Sequence, residues 1–229
     1  HRDLHLSIRR QRQMCIRDRP TPGRIMHIKK VRIRAVAVPR IYDTRVADAG
    51  GHAQAKTQSL YYVLELISNT GAIGLGEISD IESSWNVPTP HALCTLLDSL
   101  KGSDPLRHQD AWEAATAALP EALHPELRSL LSAAVDTALL DLVGQHYNAP
   151  LHVLLGGTHR TRIQVSWVAF IRTVEEIEEE ISSKVAEGFT AFKLKVGDEP
   201  NIDIERVRLC RRIAGPDAYI KVDASGQWE

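Results

Sequence analysis

The chain has 229 residues, a net charge of −1, 43% hydrophobic residues and 25% charged residues. That is the composition of an ordinary folded protein with room for one or two cores. The charge balance points to neither a nucleic-acid nor a membrane partner, and no apolar run approaches the roughly 18 residues of a membrane span. Three scattered cysteines (Cys15, Cys94, Cys210) lack metal-ligand spacing and read as reduced thiols of a cytoplasmic protein.

The charge is uneven. Residues 1–25 carry seven arginines against Asp3 and Asp18, a local +5 that leaves −6 for the remainder. This head has no sustained period and ends in Pro20-Thr21-Pro22-Gly23. It lacks the apolar core of a secretory signal, and a nucleic-acid arm is an alternative. Met14-Cys15-Ile16-Arg17-Asp18-Arg19 favours a disordered or artefactual leader, with the real start at Met26.

From Met26 the chain reads as a three-stranded meander. His27–Val38 alternates loosely, with Val31, Ile33, Ala35 and Ala37 on one face and Lys30, Arg32 and Arg34 on the other. Pro39 is expected to stop it, and Arg40–Gln58 reads as a polar loop without period, of a length that is usually functional. Leu60–Ile67 is a second strand, Ser68-Asn69-Thr70-Gly71 a hairpin turn, and Ala72–Ile78 a short, glycine-spaced third strand. Helices follow. Thr89-Pro90 opens one to Leu100, and another covers about Leu106–Leu119. Pro125 opens the clearest, on which Leu127, Leu130, Leu131, Ala134, Val135, Ala138, Leu139 and Leu142 recur at three- and four-residue steps. Asn148-Ala149-Pro150 ends it.

After Pro150 the pattern changes to strand Ile163–Phe170, helix Val174–Glu187, strand Ala191–Val196, helix Ile202–Ile213 and strand Ala218–Val222. Gly188 and Gly215-Pro216 close the helices. Alternation at about 28 residues per unit means parallel crossovers.

Two features of this part carry chemistry. Lys193 and Lys195 are two apart on a strand and share a face. Like charges there repel and lose hydration, which lowers an amine's pKa toward a value useful for a base. Asp223 ends the next strand before Ala224-Ser225-Gly226, a good position for an oxygen ligand to a hard cation. On spacing alone, a solvated lysine face and a turn-forming aspartate fit as well.

The joined pieces are more specific. Gly74-Leu75-Gly76-Glu77, Ser132–Gly144, Pro150-Leu151 through Leu154-Leu155-Gly156-Gly157, Lys193-x-Lys195 and Val222-Asp223-Ala224-Ser225-Gly226-Gln227-Trp228 occur in order at compatible spacing. Together they resemble the muconate lactonizing enzyme and mandelate racemase branch of the enolase superfamily, from Met26 to the end.

That resemblance implies an α+β capping domain at 26–150, followed at 151–229 by the first three β/α units of a (β/α)-barrel. It implies Mg²⁺-dependent removal of a proton α to a carboxylate through an enediolate. The outcome would be cycloisomerisation, racemisation or epimerisation, or, as an alternative, dehydration of a sugar acid. Lys195 would be the base, Lys193 its electrostatic helper and Asp223 one of three acidic ligands to Mg²⁺, for which Mn²⁺ could substitute. Ser225 stands where the family pattern has Asn. Tyr42, Arg45, His52 and Trp85 fall where the cap would cover a small carboxylate substrate. Asp136, Asp141 and Glu77 read as structural, and Trp167 fits core or pocket alike. The remaining metal ligands and the opposing acid/base would lie beyond Glu229. A truncated piece of a homo-oligomeric enzyme is therefore expected, itself inactive or non-catalytic.

Overall fold

The computed structural model describes residues 25–44 and 56–227. These residues form two compact units. One comprises 25–35 and 62–154. The other comprises 36–44, 56–61 and 155–227.

β1 (Ile28–Thr44), β2 (Lys56–Ser68) and β3 (Ile73–Ile78) form a sheet in that order. β2 and β3 pair antiparallel from Tyr62↔Ile78 to Ile67↔Ile73. The expected turn closes them, with Ser68 N–H on Ala72 O at 2.9 Å and Gly71 N–H on Ser68 O at 3.2 Å. β1 corrects the sequence reading, because it runs through Pro39 instead of stopping there. β1 is an edge strand of this sheet, the position in which a strand accommodates proline. Beyond the proline, Arg40 donates to Ser59 Oγ at 2.7 and 3.0 Å. The expected loop is thus strand at both ends.

Helices follow: α1 (Pro90–Leu96), capped by Thr89; α2 (His108–Ala117); α3 (Pro125–Tyr147), with Pro125 in its first turn and left-handed Asn148 after its last; and the short α4 (Leu151–Leu154). α1 is shorter than expected, and Asp98–Leu100 is a separate 3-10 turn. α3 lies across β3, and two glycines permit this. A Cβ at Gly76 would stand 2.0 Å from Ala134 O, and one at Gly74 would stand 2.1 Å from Ala138 O. The register places Gly74 opposite Leu66 and Gly76 opposite Leu64. All four residues are buried there, under Leu127, Leu131, Val135, Ala138 and Leu142 of the helix. α3 also closes the free edge of β3. Asp141 Oδ2 accepts from Leu75 N–H at 2.9 Å, and Gln145 Nε2 donates to Ile73 O at 2.7 Å. An edge strand's open amides and carbonyls are a liability, and here helix side chains satisfy them. Asp136 pairs with His108 at 2.7 Å. On the other sheet face Glu65 holds Arg32 at 2.7 Å and Arg34 at 2.8 Å.

The second unit contains β4 (Trp167–Ala169), α5 (Val174–Ala186), β5 (Ala191–Lys195), α6 (Pro200–Ala214) and β6 (Tyr219–Asp223). The strands pair in parallel in the order β4-β5-β6. Thr173 and Glu176 form a reciprocal capping box that starts α5 directly after β4. The core is Ala169, Ile177, Ile181, Phe192, Leu194, Leu209 and Cys210. β4 is shorter than the expected Ile163–Phe170. Ile163 and Val165 are 82% and 69% exposed and have no packed face to hold them in a strand. Burial pushes the Cys210 thiol up to about 11, and Cys94 is likewise a free thiol; Cys15 lies outside the described residues. Among the described residues no helix is long and apolar enough to cross a membrane.

Substitution separates close approach from turn geometry. Gly76→Ala forces a methyl into the α3 backbone and is expected to destabilise by about 3 kcal/mol or more. Gly71→Ala meets nothing within 4 Å but has φ +91°, and is expected to cost about 1 kcal/mol. Urea melts of the two variants check the order, and equal losses would refute the packing role of Gly76.

Candidate active site

Strand alternation sorts β5 into two faces. Phe192 and Leu194 are buried against the helices, while Lys193 and Lys195 point the other way and remain partly exposed. The parallel register sets Lys195 beside Asp223 and Lys193 beside Lys221, at the C-terminal ends of adjacent strands. The same register puts Val168 on the lysine face and Trp167 on the helix face.

The three residues singled out by sequence come together. Lys193 Nζ lies 2.7 Å and Lys195 Nζ 2.8 Å from the same oxygen, Asp223 Oδ2. The other oxygen, Oδ1, accepts from Ser225 N–H at 2.9 Å, and Lys195 Nζ also reaches Ser225 Oγ at 3.2 Å. Ser225 adopts φ +51°, a left-handed conformation that Asn tolerates better than Ser. Lys195 is the less accessible amine, with 17% of its side chain exposed against 34% for Lys193. Hydrogen bonds from Lys193, then from Lys195, then from the Ser225 amide hold the Asp223 carboxyl well below the usual carboxylate range. The cluster is one carboxylate oxygen shared by two lysine side chains.

The other candidates are not tied to this cluster by any described contact. Trp85 belongs to the first unit, and its ring stacks on His124 at 5.1 Å. Tyr42 falls in β1, with no described side chain. Arg45 and His52 lie outside the described residues. Trp167 resolves toward the core. It donates to Glu180 at 2.9 Å, Lys184 sits 4.2 Å from its ring centroid, and Phe189 meets it edge-on. Sequence reading missed the contact of Ser225 Oγ with Lys195, although the Asn-to-Ser departure marked the position. It also missed the buried pair Asp203–Arg206 on α6, whose spacing of three is that of any surface pair.

Residues 33–156 match the mandelate racemase / muconate lactonizing enzyme, N-terminal domain family, and residues 176–229 match the enolase C-terminal domain-like family. The chain belongs to this branch of the enolase superfamily. The N-succinyl-L-Arg/Lys racemase of Bacillus cereus is 30% identical over 175 residues, which are 73% of this chain and 45% of that protein. The L-Ala-D/L-Glu epimerase of Clostridium acetobutylicum is 38% identical over 97 residues, 42% of this chain and 27% of that protein. The crystal structure of a dipeptide epimerase from Cytophaga hutchinsonii, complexed with Mg and the dipeptide D-Ala-L-Val, superposes with a TM-score of 0.75 at 22% identity. It covers 89% of this chain and 53% of that one. Other matched relatives are cycloisomerases and a dehydratase. The chain spans about half the length, or less, of the curated relatives it matches.

For this enolase-superfamily chain, the fit of Asp223 to a hard divalent cation rests on its chemistry. It is a carboxylate kept ionised at a strand mouth, able to supply one anionic oxygen. Among the described residues no group of three or more His, Cys, Asp or Glu converges.

The depressed Asp223 value has a signed consequence. Contacts of the ionised form add stability that is present above the unfolded aspartate pKa and is lost as pH falls through the lower folded value. Carboxyl ¹³C NMR without metal should show Asp223 ionised at about pH 3, where an ordinary aspartate is mostly protonated. Lys193→Met should move its midpoint up. A wild-type midpoint near the ordinary value of about 3.9 would contradict the clasp.

Proposed function

We propose that the whole protein removes the proton α to the carboxylate of a small acid, with Lys195 as the base. The observation that carries this is the meeting of Lys193 and Lys195 on one Asp223 oxygen at adjoining strand ends. Such a proton is only weakly acidic, so an amine alone is insufficient. The charge left on the carboxylate must be met by fixed cations. Lys193 Nζ, on the more accessible of the two side chains, would meet the substrate carboxylate and keep it beside Lys195. Lys195 Nζ, deeper and also in reach of Ser225 Oγ, takes the proton as a neutral amine and becomes the ammonium. Asp223 holds both amines in place and would supply one ligand to Mg²⁺. When bound, Mg²⁺ supplies Lewis-acid stabilisation of the developing negative charge.

The substrate class we favour is an N-acylated α-amino acid, racemised or epimerised. Its support is that the relatives named above act on N-succinyl amino acids and dipeptides, both of which carry an acylated amine beside the carboxylate. Sugar-acid dehydration, which shares the first half-reaction, is the second reading; the matched dehydratase supports the reaction type, while its own substrate is cis-3-hydroxy-L-proline. Mg²⁺ as cofactor, a cytoplasmic setting and a homo-oligomeric whole protein belong to the same proposal. So do a domain boundary near residue 150 and substrate-covering roles for Tyr42, Arg45, His52 and Trp85.

Two substitutions in the whole protein test it. Lys195→Ala should abolish exchange of the substrate α-proton in D₂O, by about 10³-fold or more, with an almost unchanged melt, since a side chain at a strand mouth leaves no core cavity. Wild-type exchange in that variant would remove Lys195 from the reaction. Asp223→Asn should weaken Mg²⁺ binding and turnover together, because an anionic ligand becomes neutral. Unchanged affinity in titration calorimetry would sink the metal assignment.

A further inference from the structure

Asp203 and Arg206 stand one turn apart on α6 and are 4% and 2% exposed. They form an ion pair with each other. A buried ion pair is weak evidence for stability, since well-packed apolar residues often serve equally well. The remaining bonds of this pair reach outside the helix. Asp203 Oδ2 accepts from Gly197 N–H at 2.7 Å, and Arg206 Nη1 donates to Arg172 O at 3.3 Å. Gly197 leaves β5 two residues after Lys195, and Arg172 follows β4.

Gly197 is itself wedged. It has φ +103°, and a Cβ there would lie 3.0 Å from Ala224 O and 3.1 Å from Gln227 Cβ. The residue before it, Val196, donates its amide to Asp223 O at 3.0 Å. A single buried pair therefore ties the exits of β4 and β5 together, and the β5 exit in turn packs on the turn that follows Asp223.

We propose that Asp203 and Arg206 are positioning residues for Lys195, acting through the Gly197 turn. The functional meaning of that position rests on the reading of Lys195 as the base; the mechanical claim does not. An error of about 1 Å in a reacting group can lower a rate about 100-fold, so a fixed strand exit matters for a base on a flexible stem.

The test uses the whole protein and two variants. Asp203→Leu with Arg206→Met replaces the pair by apolar side chains and removes the acceptor for Gly197. Asp203→Asn keeps a carbonyl acceptor and serves as the rescue. By NMR, the double variant should retain a cooperative melt. Its Gly197 amide should exchange at least 10-fold faster, while the Phe192 amide in the strand is unchanged. The cross-relaxation peak between Lys195 Hε and Ser225 Hβ should disappear. Asp203→Asn should restore both signals to within about threefold of wild type. With substrate, the double variant should lose kcat about 10-fold or more at nearly constant KM.

A folded double variant with wild-type Gly197 exchange and an intact Lys195–Ser225 peak overturns the proposal. So does an Asn variant that loses both as completely. If the double variant has no cooperative melt, the wild type decides: a Gly197 amide protected like that of Phe192 supports the clamp, and one exchanging at the rate of a free surface amide overturns it. The Lys195→Ala exchange experiment can fail while these signals hold. In that case the clamp stands and the assignment of the base falls.

Discussion

One carboxylate oxygen is where the charged groups of the second unit meet. Asp223 Oδ2 meets the side-chain nitrogens of both lysines, and it does so because β5 and β6 pair in parallel with Lys195 beside Asp223. A shift of one residue would turn the lysines toward the helices and leave Phe192 and Leu194 in water. The core therefore enforces the site: burial of Phe192 and Leu194 among Ile177, Ile181, Leu209 and Cys210 fixes which face the lysines occupy. Each fully buried side chain of this kind contributes about 1.5–3 kcal/mol, more than a partly exposed ion pair offers. Apolar packing sets the geometry, and the charges use it.

The first unit follows a related rule with different means. Its sheet and α3 approach until backbone meets backbone, which only Gly74 and Gly76 allow. At that distance α3 can also satisfy the open edge of β3 through Asp141 and Gln145. The acidic residue on the long helix thus serves structure, in keeping with its sequence reading.

Much of this was legible in sequence because its causes are local. Pro125 and Asn148 bracket α3, and the Lys-x-Lys spacing fixes a shared face. Strand–helix alternation after residue 160 predicts the parallel sheet. The failures arise where the outcome depends on distant partners. Pro39 breaks a central strand but not an edge strand, and the edge position of β1 is a fact of the whole sheet. Ile163 and Val165 have strand-like spacing but no surface to bury against. Asp203 and Arg206 have the spacing of an exposed helix pair. Their burial depends on loops six residues upstream of Asp203 and 34 residues upstream of Arg206. The shared oxygen of Asp223 was also invisible, since side-chain direction gives a face but not a contact.

A crystal structure of the whole protein with Mg²⁺ and a slowly reacting N-succinyl amino acid would be the most direct measurement. The substrate α-carbon should lie about 3–3.5 Å from Lys195 Nζ, the reach of a reacting pair. Its carboxylate should lie against Lys193, and Asp223 should be on the metal. A ligand bound away from the ends of β5 and β6, with Lys195 turned from its α-carbon, would contradict the assignment of this cluster as the seat of proton abstraction.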